Sequence, residues 1–543
     1  MLPFRLNRNL LLLALAGVLM YFGVMAWNAL AGGGGVDEEM GRPPVTEEAA
    51  QAAASAWAAR QFPGFTPGNS SVTYQNDKSM SAYVEKNDLT AEYKKTLSDK
   101  VPLDYWQVEI REQNGSRQLS VRVGMEQAVV TGWKTTGPRT GPAASDRTQA
   151  DQALASAGYE PARFTPVPEK QKTPGSFVYQ GKDTAVGEAR LVLNVEVGGS
   201  EALSLLPSFE LPDAFTGYMD KQSQSTKWML GGSLFFTFVL GVAAIVYTIR
   251  RRKEISFSRG ILLTFLFGGI YVIHSVNTLP LIAAQSGSGN LMAVAIVTLV
   301  FTAIVTLLLA AANYFSLLAG DALWRREGRN YWPRWNEPGF GEHVYYSMGR
   351  GYLLFFFLMG SQQILLLFAE KSFDAFGVND PTQSVYNMLW PGFLPLLAWV
   401  AGISEEVTYR FFGIALFKKL LHFEFLALLA PSLLWALGHT GYTIYPSYTR
   451  LFEVAVLGLL FGYAFLKYGF YTVMFAHVIM DSFMMSFSVM TTEKTAGFVL
   501  LGLFYIALPA LAAAAVLLLH RRFRKDPPEI PYSPAPVPPG APQ

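Results

Sequence analysis

Ten long apolar runs, each closed off by polar or basic residues, leave this chain few ways to fold. They fall at about 10–30, 228–249, 260–282, 291–319, 350–369, 388–417, 423–440, 450–467, 470–490 and 497–519. Runs of roughly 17–25 apolar residues are long enough to cross a bilayer as helices. In hydrocarbon only helices and closed barrels satisfy every backbone hydrogen bond. The chain is 51% hydrophobic and only 15% charged, against about 25% charged in soluble domains. The expected fold is therefore an α-helical polytopic membrane protein with about ten transmembrane helices.

Charge placement sets the orientation. Arg5 and Arg8 precede the first run and put its start in the cytoplasm. That run exceeds the usual apolar core of a signal peptide, so 1–32 reads as a retained anchor. Alternating sides from there puts Arg250–Lys253, Arg325–Arg334, Lys418–Lys419 and Arg521–Lys525 in the cytoplasm. The loops 283–290, 370–387 and 491–496, with few cations, fall outside. Both termini are then cytoplasmic and the polar stretch 33–227 is extracytoplasmic. Gly32 to Gly35 forms a hinge before it. The end, Asp526 to Gln543, holds eight prolines and reads as a disordered, polyproline-leaning tail.

The stretch 33–227 reads as an inserted α+β domain of two similar repeats. Thr46, Glu47 and Glu48 open an Ala-rich helix to about Arg60. Alternating Tyr105–Ile110 and Gln118–Val123 flank Asn114-Gly115, a hairpin signal. Asp146 opens a second helix to about Ala157, followed by strand-like Ser176–Gln180 and Ala189–Val197 and a Gly198-Gly199 turn. The domain faintly resembles PepSY-like modules. It has no histidine, and the chain has no cysteine, so it carries no sign of catalysis. Binding a substrate or partner and acting as a spacer are equally compatible with it.

The chemistry gathers near the C-terminus. Glu405, Glu406 and Arg410 interrupt an apolar run, where each charge costs about 2.5–3.5 kcal/mol on insertion scales. Glu406 and Arg410, four apart, share a helix face and can pair. Glu405 lies about 100° around the helix, free to face another cavity with Tyr409. The next run ends in Trp435-Ala-Leu-Gly-His439, and a later one holds His477 and Asp481, again four apart. Of the six histidines, His343, His422 and His520 fall in loops or at helix ends, and His274 has no acid in its run. Singly, each pair reads as well as a bridge between helices. Together, on neighbouring helices, they imply one polar cavity inside the membrane.

These residues are similar to the three motifs of the CAAX-protease and bacteriocin-processing (CPBP) family. Glu405-Glu406-Val-Thr-Tyr-Arg410 matches EExxxR, Trp435 to His439 matches an aromatic followed by xxxH, and His477 to Asp481 matches HxxxN or HxxxD. The resemblance covers 388–490. It leaves 228–387 as transmembrane helices of unassigned role and 491–525 as a last helix with a basic end. It implies an intramembrane glutamate-dependent endopeptidase acting on membrane-associated or membrane-adjacent peptides. Glu405 would activate water, His439 would help hold it, and His477 with Asp481 would stabilise the oxyanion or orient the site. Glu406 and Arg410 would order it. Two positions depart from the commoner pattern: Trp435 replaces Phe, and Asp481 replaces Asn. Asp481 can donate to an oxyanion only when protonated, or it can instead orient His477 through a ring N–H.

The resemblance implies no cofactor. Two histidines and a glutamate are also a zinc ligand set, though HExxH is absent; zinc is the less favoured reading because the resemblance is to glutamate-dependent enzymes. No nucleic-acid partner is expected, because the cations lie between apolar runs. The competing reading is a non-catalytic scaffold or immunity protein that binds a partner through its external domain. Decay of Glu405, His439 or His477 would favour it, and none has decayed. A transporter would show paired broken helices or an inverted repeat, and no convincing one is present. The resemblance and the large external domain place the chain in a bacterial plasma membrane.

Overall fold

The computed structural model describes residues 7–30, 44–136, 147–171, 173–198, 201–286, 291–493 and 495–524. The expected hinge at Gly32 to Gly35, the Pro-rich tail from Asp526, the helix opener Asp146 and Gly199 lie outside them. The first helix, α1 (Arg8–Leu30), buries Leu10, Ala14, Gly17 and Val24 along one stripe.

A sheet domain follows, made of α2 (Glu47–Gln61), β1 (Pro67–Asn76), α3 (Lys78–Lys86), α4 (Thr90–Thr96), β2 (Asp104–Glu112), β3 (Gln118–Gly124), β4 (Val130–Thr136), α5 (Arg147–Ser156), β5 (Phe164–Pro166), β6 (Ser176–Val186), β7 (Ala189–Gly198) and β8 (Glu201–Glu210). Its eight antiparallel strands run in the order β1-β2-β3-β4-β8-β7-β6-β5. One half is α2 with β1–β4, α3 and α4 lying between β1 and β2; the other is α5 with β5–β8, and the halves join where Trp133 faces Leu205. Alternation along the strands turns Trp106, Val108, Ile110, Val121, Leu193 and Val195 to one buried face. The small Ala50, Ala54 and Ala58 let α2 lie close on that face. The Thr46 side chain accepts a hydrogen bond from Ala49 N (3.2 Å) and starts α2.

The remaining helices are α6 (Asp213–Arg250), α7 (Ile261–Asn277), α8 (Leu279–Ser286), α9 (Leu291–Arg326) and α10 (Phe340–Phe373), then strand β9 (Phe376–Gly377), α11 (Leu397–Glu405), α12 (Ala415–Leu421), α13 (Glu424–Gly438), strand β10 (Ile444–Tyr445), α14 (Ser447–Tyr468), α15 (Phe470–Glu493) and α16 (Ala496–Phe523). Among the described residues seven helices are long and apolar enough to cross a membrane: α1, α6, α9, α10, α14, α15 and α16. The apolar α7 and α13 are shorter. The run expected at 388–417 is a broken segment, with a 3₁₀ turn over Pro391–Leu396, then α11, a π-helical stretch over Glu406–Ile414, and α12.

Polarity and helix boundaries differ at two places. The change of polarity at 227 falls inside α6, whose 38 residues span ~57 Å at 1.5 Å per residue. Its first turns therefore stand beyond a ~30 Å hydrocarbon layer. The run 260–282 is two helices, because Pro280 has no N–H to carry the α7 ladder onward and fits only the first turn of a new helix.

Close approach at glycines knits the bundle. A Cβ on Gly360 would lie 2.1 Å from the Gly17 carbonyl oxygen, so α1 packs on α10 backbone to backbone. Ion pairs collect at one end of the bundle, including Arg326–Glu254 (3.6 Å), Arg325–Asp321 (2.9 Å), Lys418–Glu327 (2.5 Å) and Arg521–Glu342 (2.7 Å). The sheet domain meets the other end, where Tyr74 N donates to Asn387 Oδ1 (2.8 Å) and Lys78 pairs with Asp380 (2.7 Å).

Candidate active site

The site begins with a glycine. A Cβ on Gly402 would lie 2.5 Å from Val478 Cγ2 and 3.2 Å from the Met474 carbonyl oxygen. Only without a side chain does α11 come this close to α15, which brings Glu405 and Glu406 beside His477. The backbone then loosens into the π stretch at Glu406–Ile414, a distortion often found at functional sites.

Glu406 and Arg410 pair as their spacing predicts, Oε1 to Nη1 at 3.1 Å, and both are buried. A buried pair offsets its desolvation only with further partners. Arg410 has the faces of Trp435 and Phe461, 3.9 and 5.1 Å from its guanidinium carbon. Glu406 Oε1 also accepts from His477 Nδ1 (2.8 Å). His477 is thus oriented by Glu406, while Asp481 Oδ2 stands 3.5 Å from its other nitrogen, Nε2.

Glu405 faces a different space. Its Oε2 lies 3.9 Å from His439 Nε2 and 3.8 Å from His477 Nε2, and it accepts the indole N–H of Trp435. His439 caps the C-terminus of α13, and its Nδ1 donates to the Trp435 carbonyl (2.9 Å), which turns the Nε2 lone pair toward Glu405. Separations of 3.8–3.9 Å exceed a direct hydrogen bond and suit a bridging oxygen. Tetrahedral zinc ligands stand ~3.3 Å apart, and among the described residues no group of three acids or histidines is set to hold a metal. Glu405, His439 and Asp481 keep 25%, 19% and 17% of their side-chain surface, whereas Glu406 and Arg410 keep almost none. The accessible side of the site is therefore that of Glu405, away from the Glu406–Arg410 pair.

All six candidates thus meet in one place, with His439 and His477 as the two site histidines. His274 lies in α7 with Nδ1 buried and unpartnered, and His520 Nε2 meets the Trp335 carbonyl oxygen (3.1 Å) at the ion-paired end. Tyr409, expected to share the cavity of Glu405, bonds Thr237 of α6 (2.8 Å). Sequence reasoning read Trp435 only as the aromatic of the second motif, in place of Phe, and missed its donor role. It also missed Tyr442, stacked 6.0 Å from His439. The indole N–H was readable from residue type, but its direction was not.

The loop after His439 is tied to the sheet domain. Gly377 pairs with Ile444 and Phe376 with Tyr445, and Val378 N donates to the Thr443 carbonyl (3.0 Å). The same segment pushes Tyr386 against Tyr74 and Trp106, with centroids at 5.8 and 5.5 Å. It also pairs Asp380 with Lys78 (2.7 Å).

Residues 387–483 match the family profile of the type II CAAX prenyl endopeptidase Rce1-like proteins. The sporulation-killing factor biosynthesis protein SkfC of Bacillus subtilis (strain 168) is 25% identical over 307 residues, 54% of this chain and 58% of that relative. The match thus spans little more than half of that protein's length. No solved structure matches.

Proposed function

With residues 387–483 an Rce1-like domain of CAAX-protease type, we propose that the chain is an intramembrane endopeptidase in which Glu405 activates a water. The observation that carries this reading is that His439 Nε2 and His477 Nε2 both lie within 3.9 Å of Glu405 Oε2. Glu405 removes one proton from the water, and His439 accepts a hydrogen bond from the other. The water oxygen bonds to the peptide carbonyl carbon, and the oxyanion that forms takes hydrogen bonds from Nε2 of His477 in its imidazolium form and from Asp481 in its protonated form. Glu405 then returns its proton to the leaving amine as the C–N bond breaks.

The ion-paired end is cytoplasmic by the positive-inside rule, with ten spans and both termini on that side. The sheet domain then stands outside a bacterial plasma membrane, at the end of the bundle to which the His439 loop is tied. The substrate class is a membrane-adjacent peptide. The name of the Bacillus relative assigns that protein to the biosynthesis of a sporulation-killing factor, and a peptide-cleaving step in a biosynthesis is the corresponding role here.

Purified protein in liposomes, given a peptide library with and without chelator, tests this. Glu405→Gln should lower cleavage roughly 10²- to 10⁴-fold, and chelator should leave the wild type unchanged. Loss in chelator with rescue by zinc would move the reading to a metal. A folded wild type that cleaves nothing would favour a scaffold that binds a partner through the sheet domain.

A further inference from the structure

We infer that Trp435 is a positioning residue that sets both the base and the water-holding histidine, and that it links Arg410 to Glu405. The inference rests on the reading of Glu405 as the base.

Trp435 makes two polar contacts, one to each of two site residues. Its indole N–H donates to Glu405 Oε2, and its carbonyl accepts His439 Nδ1 at 2.9 Å. The first fixes which way the carboxylate points. The second fixes the imidazole tautomer, leaving Nε2 as the acceptor that faces Glu405. The ring itself has little freedom. It is 5% exposed and meets His439, His477 and Phe461 edge to face, with centroids at 4.9, 5.8 and 6.0 Å.

Arg410 covers the remaining face, its guanidinium carbon 3.9 Å from the ring centroid. A cation there draws electron density out of the indole and makes its N–H a better donor. Arg410 is ion-paired with Glu406, and the indole stands between its charge and Glu405. A merely structural tryptophan would need any one acceptor for its N–H. This one uses the carboxylate on which the chemistry depends, and it orients the second group with its own backbone.

Trp435→Phe keeps an aromatic face for Arg410 and removes the N–H. The expected result is a fall in kcat of roughly 10- to 100-fold, the worth of one hydrogen bond to a charged group, with KM held within about twofold. If Phe fails to fold, 3-benzothienylalanine at 435 replaces the N–H by sulfur at almost constant shape, and the same split is expected. A kcat within about twofold of wild type in either variant overturns the inference. A second readout needs no turnover. With ¹⁵N-labelled indoles, the resonance lost in Trp435→Phe should lie downfield of the other ten and move in Glu405→Gln. An ordinary, unmoved resonance also overturns the inference. Cleavage retained by Glu405→Gln would sink the base assignment, whereas a dead Glu405→Gln beside a fully active Trp435→Phe would sink this inference alone.

Discussion

Asn387 and Tyr74, 313 positions apart, pair as neighbouring strand residues do. The Asn387 amide oxygen accepts from Tyr74 N at 2.8 Å, and its nitrogen donates to the Tyr74 carbonyl at 3.0 Å and to the Pro381 carbonyl at 2.8 Å. A side-chain amide thereby caps the edge strand of the sheet domain, and the segment leading to it continues into the β9–β10 pair beside His439. Asn387→Ala would leave both Tyr74 backbone groups without these partners, at about 1–3 kcal/mol for each group left unsatisfied. Hydrogen exchange should then rise at 376–387 and at 443–445 together. Faster exchange at 376–387 alone would show that the two loops are not coupled.

Lys78 and Asp380 make the same junction sensitive to pH. Burial acts to raise the Asp380 carboxyl, but the Lys78 ammonium and the Thr382 N–H outweigh it and hold it below the usual carboxylate range. A depressed folded value means that the contribution to docking is complete above the unfolded value, about 3.9, and is lost as pH falls through the folded one. Exchange at 376–387 should be flat from pH 7 to 5, after correction for intrinsic rates, and should rise below about 4. Asp380→Asn should remove that rise. A junction that loosens near pH 6 would point to another group.

How much of this was legible in the sequence depends on how local the cause is. The Glu406–Arg410 pair follows from a spacing of four on one helix, and the meeting of Glu405, His439 and His477 from motifs that the family resemblance orders. The π stretch at Glu406–Ile414 was not legible, because nothing in its residues distinguishes it from an α-helix. The continuity of α6 through 227 was hidden because polarity marks where a helix meets lipid and not where it begins. The Asn387 clamp joins residues 313 positions apart, a contact that no local pattern announces.

Gly402 gives a direct test of the packing beneath the site. A valine there would place its Cβ 2.5 Å from Val478 Cγ2 and 3.1 Å from Val478 N, and a backbone atom cannot move aside as a side-chain tip does. Overpacking of this kind costs about 1–3 kcal/mol. Gly402→Val should lower the thermal midpoint in detergent. It should lower cleavage further than stability alone requires, because Glu405 is carried away from His477. Adding Val478→Ala should restore part of both. Wild-type cleavage in Gly402→Val would mean that the α11–α15 distance does not govern the site.

Asp481 separates two accounts of the third motif. If it orients His477, replacing its carboxylate by an amide should be damaging, since the ring would lose an acceptor. But His477 already donates from Nδ1 to Glu406 at 2.8 Å, while Asp481 stands 3.5 Å from Nε2, long for an orienting bond. The geometry favours a position that faces the oxyanion, where an amide donates without needing a proton. Asp481→Asn should therefore retain cleavage within about threefold or exceed wild type. Asp481→Leu, which keeps the branched skeleton but cannot donate, should lose roughly 10²- to 10³-fold, the usual worth of one oxyanion donor. Steady-state rates for both variants on one peptide decide it. A dead Asp481→Asn would return Asp481 to service as an acceptor for His477 and leave the oxyanion to that histidine alone.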